Sequence, residues 1–258
     1  MKSPAVLYEK KDYIGLLTLN RPDNRNHMDT ELLPLFELTL EKVTNDRDLR
    51  CLVITGSGKS FCAGADFNSS LNGMDNLLPH EIFMKMYEPF LAVGKLPMPT
   101  IAAMNGHAIG GGFGLALQCD MRIAKNNAKY GANFARLGLH PGMAISHILP
   151  RLAGVSKACE LLFTGRLFTG REALAMGIVN YSEDNVLEKA MELAVEIAAG
   201  TPKAVRMMKD TIYRSLSWDV EGAAQYEALC QSRTFEMDDA REGIAALLEK
   251  RPPVFKGK

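Results

Sequence analysis

The stretch PTIAAMNGHAIGGGFG, residues 99–114, constrains this chain more than any other. An apolar run from Thr100 to Met104 reads as a strand that stops at Asn105-Gly106. Three consecutive glycines, Gly110 to Gly112, then open an apolar helix running to Gln118. Such a turn leaves backbone N–H groups without intrahelical partners at a helix start, where the helix dipole favours negative charge. Glycine also lets another atom approach the backbone closely. The segment is therefore built to hold an anion, or an oxygen that becomes one during a reaction.

The rest of the composition narrows the classes of function. Lys plus Arg and Asp plus Glu each number 30 in 258 residues, so no global basic field points to nucleic acid or membrane partners. With 47% hydrophobic residues the chain can bury one large core. The five cysteines, Cys51, Cys62, Cys119, Cys159 and Cys230, are odd in number and form no C-x-x-C pair. They read as reduced thiols in a cytoplasmic protein. The scattered His and Cys residues lack zinc spacing, so no metal is expected. No signal-peptide core or membrane-length apolar run is visible.

Strands are expected at Val6 to Tyr8 and Tyr13 to Leu19, joined by a polar turn from Glu9 to Asp12. A polar loop, residues 21–27, leads to a helix through Leu32, Leu35, Phe36 and Leu40, capped by Asp29 or Thr30. Cys51 to Thr55 and Met121 to Ala124 read as further strands, and Glu81 to Val93 as a helix. Strands alternating with helices predict an α/β fold with mainly parallel strands. From Thr201 onward no strand is expected. Val205 to Leu216, Val220 to Phe235 and Asp239 to Lys250 predict three helices, dividing the chain into a core (1–200) and a helical tail (201–258).

Two nucleotide motifs fail on inspection. GSGKS at 56–60 would need glycine where Val53 stands to be a P-loop. A dinucleotide fingerprint starting at Gly110 fails at Leu115, and one starting at Gly106 fails at Ala108. No G-x-S-x-G elbow or H-E-x-x-H helix is present. A second glycine turn, FCAGAD at 61–66, follows another strand pattern. Two such turns could aim two N–H groups at one oxygen, the geometry of an oxyanion hole. A third, LGLHPGM at 137–143, carries His140, an acid/base candidate. His107, on the approach to the triple glycine, is expected to pack.

Taken in register, these segments resemble the crotonase family, the enoyl-CoA hydratase/isomerase superfamily. The resemblance is carried by LNRPDNRN at 19–26, FCAGAD at 61–66, NGHAIGGG at 105–112 and Cys119-Asp120 with the following MRIA. Further matches are LFTG at 162–165, ALAMGIV at 173–179, Glu242 with its following Gly-Ile, and EKRP at 249–252. It implies a spiral of ββα units followed by a helical trimerisation region, assembled as a trimer or hexamer. It implies an enzyme acting on acyl-CoA thioesters, nominally an enoyl-CoA hydratase, with no cofactor beyond the coenzyme A of its substrate. The oxyanion donors would be the N–H groups of Ala65 and Gly111, converging on one point. Arg25, Ala63, Ala65, Asp66, Phe67, Asn68 and Gly111 would contact the CoA thioester.

The chain departs from the family where hydratases carry two glutamates. Gly114 and Phe134 stand at those positions. Gly114 is expected to leave a space that Phe134 makes apolar. Hydration needs a base for water and an acid for the α-carbon, so another group must serve. His140 leads, with Asp75, His80 and Glu81 behind it. Thioester hydrolysis, decarboxylation, C–C cleavage and acyl-CoA binding without catalysis stay open. Phe67, Leu71, Met74, Phe134 and Met143 suggest an apolar acyl pocket.

Overall fold

The computed structural model describes residues 3–65 and 77–258. Asp66, Phe67, Asn68, Leu71, Met74 and Asp75 lie outside the described residues. In chain order the elements are β1 (Val6–Lys11), β2 (Ile14–Leu19), α1 (Leu32–Asn45), β3 (Cys51–Gly56), β4 (Ser60–Cys62) and α2 (Pro79–Leu91). Then come β5 (Thr100–Met104), β6 (His107–Ile109), α3 (Gly111–Gln118), β7 (Met121–Lys125), β8 (Tyr130–Gly131) and α4 (Ile145–Ala153). The chain continues through α5 (Val155–Thr164), α6 (Gly170–Ala175), β9 (Tyr181–Glu183), α7 (Val186–Ala198), α8 (Pro202–Ser215), α9 (Val220–Phe235) and α10 (Asp238–Glu249).

The strands sort into two sheets. The larger has the order β1-β2-β3-β5-β7-β9, and the smaller β4-β6-β8. Among the described strand pairs only β1–β2 is antiparallel. Each of β3, β5 and β7 is followed, after a few residues, by a short partner in the smaller sheet. One helix (α2 or α3) then returns the chain to the next strand of the larger sheet, and after β8 three helices, α4 to α6, lead to β9. This repeated strand–strand–helix unit is the spiral that the resemblance implies.

Burial explains why the central strands β3 and β5 are mostly apolar. All six residues of β3 are buried. Leu52 and Ile54 face the main core, where they join Ala102, Met104 and Phe113. Cys51 and Val53 face the other way, against Val186, Ala190 and Ala194 of α7. A parallel sheet covered on both faces needs apolar residues at every position, and side-chain alternation divides them between two cores.

The helical tail is tied to the core by a largely buried ion pair. Lys209 of α8 donates to Asp120 Oδ2 at 2.8 Å and to the Met98 carbonyl at 2.9 Å. The same carboxylate accepts the Thr100 N–H and hydroxyl at 2.7 and 2.9 Å, and Tyr213 from α8 at 2.7 Å. Asp120 thus clamps the end of α3, the start of β5 and α8 to one another. Every polar atom in this cluster has a partner, the condition under which a buried charge is tolerated.

The structure corrects several local expectations. β1 runs to Lys11, and the hairpin turn is Asp12-Tyr13, with Lys11 paired to Ile14. Asp12 adopts φ 53°, a conformation that a short polar side chain tolerates. Asp29, not Thr30, serves the α1 start, its Oδ1 accepting the Leu32 and Glu31 amides at 2.7 and 3.0 Å. The small sheet was not expected, because strands of two or three residues leave too little alternation to read. His107 is exposed rather than packed, and its Nδ1 accepts the Lys129 N–H at 2.9 Å.

Candidate active site

The triple-glycine turn is built by β6 and α3. Gly110 has φ 56° and ψ −121°, a backbone conformation open in practice only to glycine. Its N–H donates to Gly131 of β8 at 2.9 Å, and its carbonyl accepts Gly114 N–H at 3.0 Å. Gly111 follows as the first residue of α3, so its N–H has no intrahelical acceptor.

The second turn lies beside it. Gly64 has φ 86°, and a Cβ placed on it would lie 2.8 Å from the Ile109 carbonyl and 3.2 Å from the Gly111 nitrogen. Backbone contact between the two turns is therefore possible only because residue 64 lacks a side chain. Met28 forms a parallel bridge with Ala65 and donates its N–H to the Gly64 carbonyl at 2.9 Å. The Ala65 N–H has no hydrogen-bond acceptor among the described residues.

The loop at residues 21–28 sets this second turn in place. Asn26 is fully buried, at 0% exposure, with φ 54°. Its carboxamide donates to the carbonyls of Ser57, Ser60 and Phe61 at 3.0, 2.8 and 3.1 Å, while its Oδ1 accepts Arg21 N–H at 2.7 Å. Arg21 pairs with Glu31 through two hydrogen bonds. The Arg25 carbonyl accepts the Ala63 N–H at 3.1 Å, while the Arg25 side chain is exposed. Asn26 is a positioning residue that the sequence reading passed over. Its signal was an asparagine in a polar loop, able to take the left-handed conformation and satisfy several carbonyls.

Both turns line one cavity of about 330 Å³. Ala63, Gly64, Ala65, Gly110 and Gly111 form its backbone wall, and Phe83, Met86, Phe134, Leu137 and Met143 are among its apolar residues. His140 also lines it. The structure thus brings Ala63, Ala65, Gly111, Phe134, Met143 and His140 to one cavity. His80 and Glu81 are not brought in. Both are exposed at the start of α2, where the Glu81 carboxylate accepts the Leu78 N–H at 2.8 Å.

Gly114 is the principal correction. It does not open a space toward the site. A Cβ there would collide with Met143 Cβ and would lie 2.9 Å from Met143 Cγ and 3.6 Å from Ile145 Cδ1. Met143 reaches this position through φ 59°, is 1% exposed, and has its carbonyl held by Gln118 at 3.2 Å. The volume a glutamate would need is occupied by methionine. Phe134 behaves differently: its ring faces the glycine turn, with Cζ 3.5 Å from the Cβ position of Gly110.

The protonic groups of the cavity are few. Among its described lining residues there is no carboxylate, and only Tyr87, Asn133 and His140 carry a polar side chain. The His140 Nδ1 lies 2.7 Å from the Pro141 carbonyl. In the tautomer that donates this bond, Nε2 is left as an acceptor. Cys62, beneath the first turn, is no nucleophile: burial pushes its thiol up to about 12 and keeps it neutral. All five cysteines are unpaired thiols. No group of three or more His, Cys, Asp or Glu among the described residues is placed to hold a metal ion. No helix among them is long and apolar enough to cross a membrane.

Comparison with known proteins places the chain as a whole. The family model for enoyl-CoA hydratase/isomerase matches residues 9–258. A crystal structure of enoyl-CoA hydratase from Bacillus anthracis superposes with a TM-score of 0.93 at 34% identity, over 98% of this chain and 100% of that one. The short-chain-enoyl-CoA hydratase of Clostridium acetobutylicum is 32% identical over 254 residues, covering 97% of each chain. Methylglutaconyl-CoA hydratase of Mus musculus is 34% identical over 259 residues, covering 98% of this chain and 82% of the relative.

Proposed function

We propose, from the premise that the chain belongs to the enoyl-CoA hydratase/isomerase family, that it binds acyl-CoA thioesters and stabilises the thioester enolate between the N–H groups of Ala65 and Gly111. The nominal reaction is hydration of an enoyl-CoA. The supporting observation is the packing of the Gly64-Ala65 turn onto the Gly111 amide, with both turns lining one apolar cavity. An enolate concentrates negative charge on the thioester oxygen, and preorganised donors there contribute about 2.7–4 kcal/mol each.

The acyl group enters the apolar cavity, while the coenzyme A portion passes Arg25 and Ala63. Coenzyme A arrives with the substrate, and no further cofactor is invoked. His140 acts as the base that takes a proton from the attacking water through Nε2. Turnover of crotonyl-CoA, followed by loss of the conjugated thioester absorbance, tests the reading. The wild-type chain should turn over at roughly 1–10³ s⁻¹. His140→Ala should lower kcat by about 10²-fold or more. Coenzyme A binding without absorbance loss would overturn the hydratase assignment, and release of free thiol would replace it with thioester hydrolysis.

The tail at 201–258 is proposed as the oligomerisation region of a trimer or hexamer. Its support is a set of large apolar side chains left exposed, among them Met208 and Ile212 on α8, Leu216 just after it, and Leu247 and Leu248 on α10. Sedimentation should give three or six chains, and a single chain would overturn it. The five free thiols favour a reducing, cytoplasmic setting.

A further inference from the structure

A hydration reaction requires a proton for the α-carbon as well as a base for water, and this cavity offers unusual means. At one glutamate position the space is filled by Met143, and at the other stands Phe134. Of the three polar side chains among the described residues lining the cavity, the Asn133 carboxamide has no proton to give at ordinary pH, which leaves His140 and Tyr87 of that set.

Tyr87 lies on α2, one helical turn after Phe83, with the two rings 6.2 Å apart. Its side chain is half-buried and packed on the core. Its hydroxyl makes no hydrogen bond to any described residue. The phenol crosses to the loop that carries His140 and rests on the backbone of Gly142. A Cβ on Gly142 would collide with the Tyr87 hydroxyl and would lie 2.6 Å from Cζ. Residue 142 thus leaves room for this ring.

We propose that Tyr87 is a catalytic residue of this site, the acid that protonates the α-carbon of the thioester enolate. The proposal rests on the acyl-CoA reading above. In the hydration direction, the oxygen of water bonds to the β-carbon and its released proton goes to His140 Nε2. The electron pair of the α,β double bond moves onto the thioester as the enolate held by Ala65 and Gly111. The enolate pair then forms a C–H bond at the α-carbon with the Tyr87 proton, and the carbonyl re-forms. The proton on His140 returns to the phenolate, so the sum is one water added across one double bond. Burial raises the phenol above its ordinary value, so it carries its proton throughout the neutral range.

The test uses butyryl-CoA, with exchange of its α-hydrogen in deuterated water read by mass spectrometry and its binding read by calorimetry. Wild-type protein should bind and exchange: neutral His140 takes the phenol proton, and the resulting phenolate removes the α-hydrogen, the reverse of the protonation step. Tyr87→Phe, which keeps the ring and removes only the hydroxyl, should bind within about threefold of wild type and exchange about 10²–10⁴-fold more slowly. Gly142→Ala, which keeps the phenol but displaces it, should also bind and lose exchange. Exchange by Tyr87→Phe within about threefold of wild type would overturn the assignment and leave the enolate reading standing. Loss of binding together with exchange would make Tyr87 structural and overturn it too. A wild-type chain that neither binds nor exchanges would overturn the acyl-CoA reading, and Tyr87 with it.

Discussion

Gly112→Ala is expected to cost this protein both stability and nearly all of its turnover. Gly112 is buried in the first turn of α3, directly over β4. A Cβ there would strike the Cys62 carbonyl oxygen and would lie 2.7 Å from Cys62 Cβ. The obstacle is backbone of a strand buried throughout its length, so no side-chain rotation relieves it. By contrast, a Cβ at Gly111 would meet the thioether of Met28, which can turn aside. Overpacking of this kind costs about 1–3 kcal/mol, or a fall in Tm of roughly 2–12 °C for a chain of this size. Relief requires α3 to lift from β4, which carries the Gly111 amide away from the Ala65 amide. Losing one oxyanion donor costs about 10²–10³ in kcat. Thermal melting and the crotonyl-CoA assay measure the two effects, and a variant with wild-type kcat would remove Gly111 from the mechanism.

The second large effect separates the two glutamate positions. Gly114→Glu is expected to restore no activity and to lower Tm by at least roughly 5 °C, since overpacking and an unpaired buried carboxylate both act against it. The required volume is held by Met143, whose backbone is fixed at φ 59° ahead of α4. Phe134→Glu is expected to fold and to raise crotonyl-CoA hydration by about tenfold or more, because residue 134 faces the cavity next to Gly110. A carboxylate so placed supplies general acid–base catalysis, worth about 10²–10⁴ when well aligned. The readout is initial rate against melting temperature for the pair. Equal gains from both substitutions would show that Met143 yields, and the account of Gly114 given above would fall.

Much of the fold was legible because the large sheet is covered on both faces. Cys51 to Gly56 and Thr100 to Met104 are buried at every position and mostly apolar, and such runs stand out beside polar turns. The α3 boundaries were legible for a related reason: three glycines end one element and an unbroken apolar run forms the next. The small sheet was not, since Tyr130-Gly131 is too short to show alternation. At the site, the two glycine turns were visible as separate segments. The meaning of Gly114 was misread, because a glycine looks alike whether it faces a void or a neighbour.

By itself, then, the sequence determined the parallel sheet, the two glycine turns and the absence of both glutamates, all set by local backbone demands and by residue identity. Tertiary structure alone decided that Met143 fills the place of one glutamate, that Asn26 holds the Ala65 turn, and that Tyr87 meets Gly142 across the cavity. Those contacts join residues far apart in the chain. They depend on how α2, α3 and the loop before α4 stack, and no local periodicity encodes that stacking.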